Sequence, residues 1–126
     1  MENYSVTVRN CNKELSAKEK VRIKDISDAF KLDDVVTPET SLDIYPETFA
    51  TLAIHNEMSE NKDYETLLII DSKGDKYVTS SQSFRTSFFA IADEMQEAGE
   101  NDWGVKIYKL ESKNYKGRYF ITCSLI

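Results

Sequence analysis

The sequence is poor in the residues that build most metal and catalytic sites. Its 126 residues include one histidine, two cysteines, four glycines and two prolines. His55, Cys11 and Cys123 are too few for the Cys/His cluster of a zinc site, so we expect no metal and no cofactor. The sequence also lacks the G-x-S-x-G, P-loop and G-x-G-x-x-G motifs. We therefore expect that the protein is not an enzyme.

Long apolar runs are missing as well. No stretch approaches the ~18 apolar residues of a membrane-spanning helix, and the start, MENYSVTVRN, lacks the basic-then-apolar pattern of a signal peptide. We expect a cytoplasmic protein without membrane contact, and two reduced thiols, although a disulfide between Cys11 and Cys123 is possible in principle. The length predicts a single domain, residues 1–126.

Charge is segregated along the chain. The net charge is −6, which argues against a generic polyanion binder. Residues 25–71 carry −10 and residues 93–102 carry −5, whereas residues 1–24, 72–92 and 103–126 carry +3, +2 and +4. Blocks of this kind can fold into one basic and one acidic face, or simply be solvated.

Hydrophobic periodicity predicts a mainly β chain with one long helix. An N-terminal strand starts near Tyr4, a capping-box pattern at Ser16 predicts a helical turn from about residue 17 with a possible strand at 21–24, and 33–43 is expected to be a loop. Strands follow at 44–58, 64–70, 76–79, 103–110 and 118–125. The helix lies between the third and fourth of these and carries an apolar stripe, which comprises Phe84, Phe88, Ile91, Ala92 and Met95.

This order of elements is typical of an OB-fold, a five-stranded barrel with a helix between strands 3 and 4. Residues 44–126 would form the OB-like core, and residues 1–43 would add an N-terminal strand and cap. An α+β sandwich with the helix on one face of an antiparallel sheet has the same local pattern, and the sequence does not separate the two.

The segment WGVKIYKLESKNYKGRYF, residues 103–120, interleaves cations with aromatic rings. Single-stranded nucleic acid is bound by this combination, because cations follow the phosphates while aromatic faces stack on unpaired bases. The alternative is an ordinary hairpin whose lysines lie on its solvent-exposed face and whose tyrosines are half-buried. The candidate contacts are Lys106, Tyr108, Lys109, Lys113, Tyr115, Lys116, Arg118 and Tyr119, with Lys73, Lys76 and Tyr77 from the hairpin before the helix.

The stretches SVTVRNCNKELSAKEKVRIKD, LAIHNEMSENKDYETLLIIDSKGDKYVTSSQSF and VKIYKLESKNYKGRYFITCSLI resemble small single-stranded-DNA-binding proteins of Gram-positive phages and mobile elements. The resemblance implies an OB-like domain that coats single strands during replication or recombination, without enzymatic activity. It implies contact roles for Tyr77, Lys106, Tyr108, Lys113, Tyr115, Lys116 and Tyr119. The chain departs from bacterial-type single-strand binders by ending in the apolar FITCSLI rather than an acidic tail.

A competing hypothesis starts from the acidic block at 25–71. Its carboxylates could imitate DNA, and the protein would then be an inhibitor that occupies a host nuclease or polymerase. Single-stranded DNA is the expected partner under the first hypothesis, with replication proteins and further copies of the chain as additional candidates.

Overall fold

The structure, a computed structural model, describes residues 3–126. In this range the chain forms eight strands and three helices. They are β1 (Tyr4–Arg9), α1 (Ala17–Lys24), β2 (Phe30–Lys31), α2 (Leu32–Val35), β3 (Leu42–Ile44), β4 (Pro46–Asn56), β5 (Asp63–Asp71), β6 (Lys76–Thr79), α3 (Gln82–Glu97), β7 (Val105–Glu111) and β8 (Tyr119–Leu125).

The strands form two sheets, and the predicted five-stranded barrel is not confirmed. A five-stranded sheet has the order β1-β4-β5-β6-β2, and a three-stranded sheet has the order β3-β7-β8. Neither closes on itself, since the outer strands, β1 and β2 in the larger sheet and β3 and β8 in the smaller one, each pair with one strand only. The α+β class that the sequence predicts is confirmed.

Two apolar clusters hold the layers together, one on each side of the five-stranded sheet. Leu67 and Ile69 of β5 point toward α3 and the three-stranded sheet, while Leu68 points to the opposite side, as strand alternation requires. That opposite side is covered by α1 through Ile23 and by residues that follow α1. The five-stranded sheet is therefore buried on both faces, and the three-stranded sheet packs on it with only one face.

The helix α3 forms as its apolar stripe predicts. Ser81 caps its first turn by accepting a hydrogen bond from the Phe84 N–H, and Phe84, Phe88 and Ala92 are fully buried. The Phe88 ring packs edge-on against Phe49, with 5.1 Å between ring centroids. This helix fixes the position of the three-stranded sheet because it lies along β8.

The N-terminal third differs from the prediction in three places. The capping box at Ser16 is present, but α1 continues to Lys24, so the possible strand at 21–24 is wrong. The expected loop at 33–43 contains most of α2 and the first two residues of β3. Because β1 and β2 join the larger sheet and β3 joins the smaller one, residues 3–43 are part of both sheets rather than an added cap.

Candidate nucleic-acid interface

Three cross-strand pairs of β7 and β8 point away from the core and form what we call the outer face. Val105 and Ile107 are fully buried on the opposite side of β7, so Lys106 and Tyr108 share the outer side, as the alternation predicts. The outer face comprises Lys106 with Ser124, Tyr108 with Thr122, and Leu110 with Phe120.

The outer face leaves apolar surface open to solvent. Leu110 is 46% exposed and Phe120 is 39% exposed, and the two lie directly opposite each other across the strands. Tyr108 is half-buried, and its hydroxyl lies 2.6 Å from the Ser124 Oγ, which holds the phenol ring diagonally across the sheet. Two partly exposed aromatic rings therefore lie on one face of the sheet, and base stacking requires accessible rings of this kind.

The helix α3 borders this surface without covering it. Ser83 Oγ donates a hydrogen bond to the Ile121 carbonyl at 3.1 Å, and Ser87 Oγ lies 2.9 Å from Thr122 Oγ1. These contacts occupy the free edge of β8. The side chains of Leu110 and Phe120 stay exposed because the helix packs beside the sheet and not on top of it.

The turn between β7 and β8 adds cations and a third ring at one end of the outer face. Gly117 has a φ of 80°, which a side chain rarely allows, and its N–H donates to the Glu111 carboxylate at 3.1 Å. The Arg118 guanidinium lies 5.6 Å from the centre of the Tyr115 ring. Tyr115 is 63% exposed, so the turn presents an aromatic ring together with positive charge.

The cations here have few carboxylates to neutralise them. Within residues 3–126, none of Lys106, Lys113, Lys116 and Arg118 forms an ion pair. The acidic neighbours along the strands are Asp43, which lies opposite Lys106 on β3, and Glu111, which the turn backbone engages. The turn, with Lys113, Lys116 and Arg118, is therefore positively charged on a protein whose net charge is −6, while on the sheet Lys106 lies opposite Asp43.

Lys109 and Tyr119 belong to the same strands but point to the other side of the sheet. The Lys109 ammonium donates to the Asp33 carbonyl of α2 at 2.8 Å. Tyr119 lies opposite Glu111 and is exposed, yet it faces away from Phe120 because neighbouring residues of a strand alternate. The structure separates these two predicted contacts from the outer face.

The contacts predicted in the β5–β6 hairpin lie elsewhere. Tyr77 is 7% exposed and belongs to the core, so its ring has no free side for a base. The Lys76 ammonium donates to the carbonyls of Arg22 and Asp25, at 2.8 and 3.1 Å, and pairs with Asp28 at 3.2 Å. Both predicted roles are corrected: Tyr77 packs the core, and Lys76 ties α1 to the sheet.

Lys73 is exposed but lies at the far end of the three-stranded sheet from the β7–β8 turn. The N–H of its neighbour Ser72 donates to the Tyr45 carbonyl, and Tyr45 directly follows Ile44, which pairs with the first residue of β7. The turn begins after the last residue of β7. At about 3.3 Å per residue, seven residues separate the two positions by about 20 Å.

Leu110 is a functional candidate that the sequence pattern did not select, whereas the sequence marks Phe120 as a large apolar residue on the polar face of its strand, which invites either a stacking role or cover from the N-terminal segment. Each occupies the outward position of its strand, next to Tyr108 and Thr122. The alternation of Val105 and Ile107 with polar neighbours was the signal that could have found Leu110, because it continues to residue 110 along the same strand.

His55 and the cysteines offer no comparable surface. His55 Nδ1 lies 2.7 Å from an Asp63 oxygen and Nε2 lies 3.1 Å from a Glu57 oxygen, and these hydrogen bonds, with Asp63 first, raise the pKa of His55. Both cysteines are free, and burial raises the pKa of the Cys123 thiol to about 12. In the described range, no three His, Cys, Asp or Glu side chains come together in a way that would hold a metal ion.

The acidic block at 25–71 is largely used within the protein. Glu65 pairs with Arg85 at 3.3 Å, and Glu57 pairs with Lys62 at 3.2 Å. The Asp71 carboxylate is buried and accepts hydrogen bonds from two N–H groups of its own turn. These three carboxylates already have partners within the protein, so they are not free to join a row that imitates DNA phosphates.

No protein-family model, curated protein or solved structure matches the chain in the three comparisons made. None of the helices described between residues 3 and 126 is long and apolar enough to cross a membrane.

Proposed function

We propose that the protein binds single-stranded DNA through the outer face and the β7–β8 turn. The observation that carries the proposal is the exposed Leu110–Phe120 pair beside Tyr108, on a sheet face that adjoins a turn whose cations form no ion pair among residues 3–126. Unpaired bases stack on rings of this kind, and phosphates are attracted to the lysines.

The expected binding mode follows from the positions of these groups. Phe120 and Tyr108 each accept one base, and Tyr115 at the turn accepts another, at about 1–3 kcal/mol per stacked base. Lys106, Lys113, Lys116 and Arg118 then lie beside the connecting phosphates. The acidic remainder of the protein opposes this only weakly, because charges beyond the Debye length of about 8 Å are screened at physiological salt.

An open sheet face is sufficient for this mode, so the proposal does not depend on a closed OB-like barrel. Other single-strand binders stack bases on aromatic side chains of an open four-stranded sheet. Duplex DNA is disfavoured because its bases are already stacked and offer only phosphates to the surface.

The setting proposed for this activity is cytoplasmic replication or recombination of a phage or mobile element. It rests on the resemblance described from the sequence, and it would make replication proteins additional partners. The alternative, an acidic inhibitor that imitates DNA, has less support because Glu57, Glu65 and Asp71 of the acidic block have partners within the protein.

Mapping by NMR tests the location of the site. A ¹⁵N-labelled sample is titrated with a dT oligomer of about 16 nucleotides, the upper end of the site sizes of single-strand-binding folds. Amide shifts are expected at Lys106, Tyr108 and Phe120 and in the 112–118 turn, while Lys73 and Lys76 serve as internal controls. Shifts confined to the β5–β6 hairpin, or no shifts at saturating DNA, would contradict the proposal.

A further inference from the structure

The strand β1 is the longest open strand edge in the described part of the molecule. It is six residues long and lies at one end of the five-stranded sheet. The other outer strands, β2 and β3, have only two and three residues, and the edge of β8 is occupied by α3 through the Ser83–Ile121 hydrogen bond. An open edge of this length presents backbone donors and acceptors to any strand that can pair with it.

The hydrogen-bond pattern identifies which groups of β1 face outward. The Glu57 N–H donates to the Asn3 carbonyl at 2.8 Å, so Asn3 is a hydrogen-bonded position of the antiparallel ladder with β4. The Asn56 N–H, opposite Tyr4, turns the other way and donates to the Lys62 carbonyl. By alternation, the N–H and C=O groups of Tyr4, Val6 and Val8 point away from the sheet.

This edge lacks the usual protection against pairing. Proteins block open edges with proline, inward-pointing charges, bulges or short strands. β1 reads YSVTVR, its pairing with β4 is regular over all six residues, and its one charge is Arg9 at the end. The side chains of Val6 and Val8 are only half-buried at the border of the cluster beneath α1.

We propose that β1 pairs with β1 of a second copy of the chain, antiparallel, about a twofold axis perpendicular to the sheet near Thr7. The outward groups of Val6 and Val8 then bond to those of Val8 and Val6 in the other copy, and both valines become more buried. Thr7 lies opposite Thr7, and Ser5 lies opposite Arg9, so like charges do not face each other across the new ladder.

The β1 strand of a second copy matches both faces of this edge, the apolar face and the hydroxyl face. An unrelated strand does not in general match both. The twofold keeps the apolar residues on the α1 side and the hydroxyl residues on the other side, because directly opposed residues point to the same face. The α1 helices of both copies then lie on the same side of the joined sheet, since α1 contacts β1. Their basic side chains repel, so salt is expected to strengthen the dimer, whereas salt weakens DNA binding.

Introducing opposite charges at Thr7, in two separate variants of the full chain, tests the proposal. Thr7 is exposed, so Thr7→Lys and Thr7→Asp leave the core intact. In sedimentation equilibrium, the unmodified protein is expected at twice the 14.5 kDa chain mass. Each variant alone should dimerise more weakly by roughly tenfold or more, because like charges face each other at about 5 Å. An equimolar mixture of the two variants should restore the dimer.

Thr86→Lys supplies the matched control, since Thr86 is exposed on α3 and its substitution changes the charge equally. It should dimerise like the unmodified protein, and circular dichroism should show the same fold for all variants. A monomeric unmodified protein at every concentration, unchanged dimerisation of both Thr7 variants, no recovery in the mixture, or a dimer that salt weakens would each overturn the proposal. The DNA-binding proposal is unaffected by these results, because dimerisation is measured without DNA.

Discussion

Replacing Phe120 by alanine should weaken single-stranded DNA binding while the protein stays folded with a modest loss of stability. Phe120 is 39% exposed, so somewhat more than half of its surface is buried, and it lies opposite Leu110 on the neighbouring strand. Full burial of a phenylalanine contributes about 1.5–3 kcal/mol, and we therefore expect a loss of folding free energy of about 1–2 kcal/mol. Loss of one stacked base should cost about 1–3 kcal/mol of binding free energy, a rise in Kd of roughly 5- to 150-fold.

Phe88→Ala is the contrasting variant. The ring is fully buried and packs against Phe49, Phe84, Phe89 and Trp103. Its removal should lower the free energy of unfolding by about 3–5 kcal/mol, because a cavity remains where the ring was. The protein that stays folded should bind DNA normally, since Phe88 lies on the far side of the sheet from the outer face.

Two measurements on each variant separate these effects. Urea unfolding is followed by the fluorescence of Trp103, the single tryptophan, whose ring lies 6.0 Å from that of Phe88. Binding is followed by the anisotropy of a labelled dT oligomer under conditions where the variant is folded. If Phe120→Ala binds as tightly as the unmodified protein, the outer face is not the site and the stacking argument fails.

Three further predictions concern charges. If Lys113 and Lys116 each meet a phosphate, replacing both by alanine should flatten the slope of log K against log salt by about 1.4, at ~0.7 per phosphate; an unchanged slope would place the cations outside the site. Because its carboxylate partners raise the pKa of His55, its contribution to stability is complete below the ordinary value near 6.5 and is lost as pH rises through the raised value. The melting temperature of the unmodified protein should therefore fall as pH rises through this range, and that of His55→Gln should not. Equal pH profiles for the two proteins would refute the stabilising role of His55. Lys76→Met should reduce folding stability by about 1–3 kcal/mol in urea and leave the DNA affinity of the folded protein unchanged, because its ammonium binds α1 and the following loop; a selective loss of affinity would restore Lys76 to the site.

Local signals in the sequence predicted the local elements. The capping box at Ser16 predicts α1, and the apolar stripe around Phe88 predicts α3. Each signal depends only on residues three and four positions apart. Pro46, which has no backbone N–H and is therefore typical of a strand's beginning or edge, is the first residue of β4. These features need no knowledge of distant residues.

The pairing of strands could not be read in the same way. β3 has three residues, and its pairing with β7 joins positions more than 60 residues apart, such as Ile44 and Val105. Nothing in a three-residue segment specifies such a partner, so the loop prediction at 33–43 was wrong there and the barrel was preferred to two sheets.

The candidate site was predictable where alternation alone decides direction. Lys106 and Tyr108 follow from the buried Val105 and Ile107. Tyr77 could not be excluded from the site by its type, because a tyrosine on a strand can face the core or the solvent. Its burial depends on residues that are distant in the sequence, such as Phe30, whose ring centroid lies 5.7 Å from that of Tyr77.

The most direct test of the central claim is a titration that compares single-stranded and duplex DNA. Fluorescence anisotropy of a labelled dT oligomer, and of the same oligomer annealed to its complement, is measured at two salt concentrations. The proposed stacking predicts tighter binding to the single strand at both, with affinity that falls as salt rises. Equal affinity for the duplex, or no binding to either DNA at low salt, would contradict it.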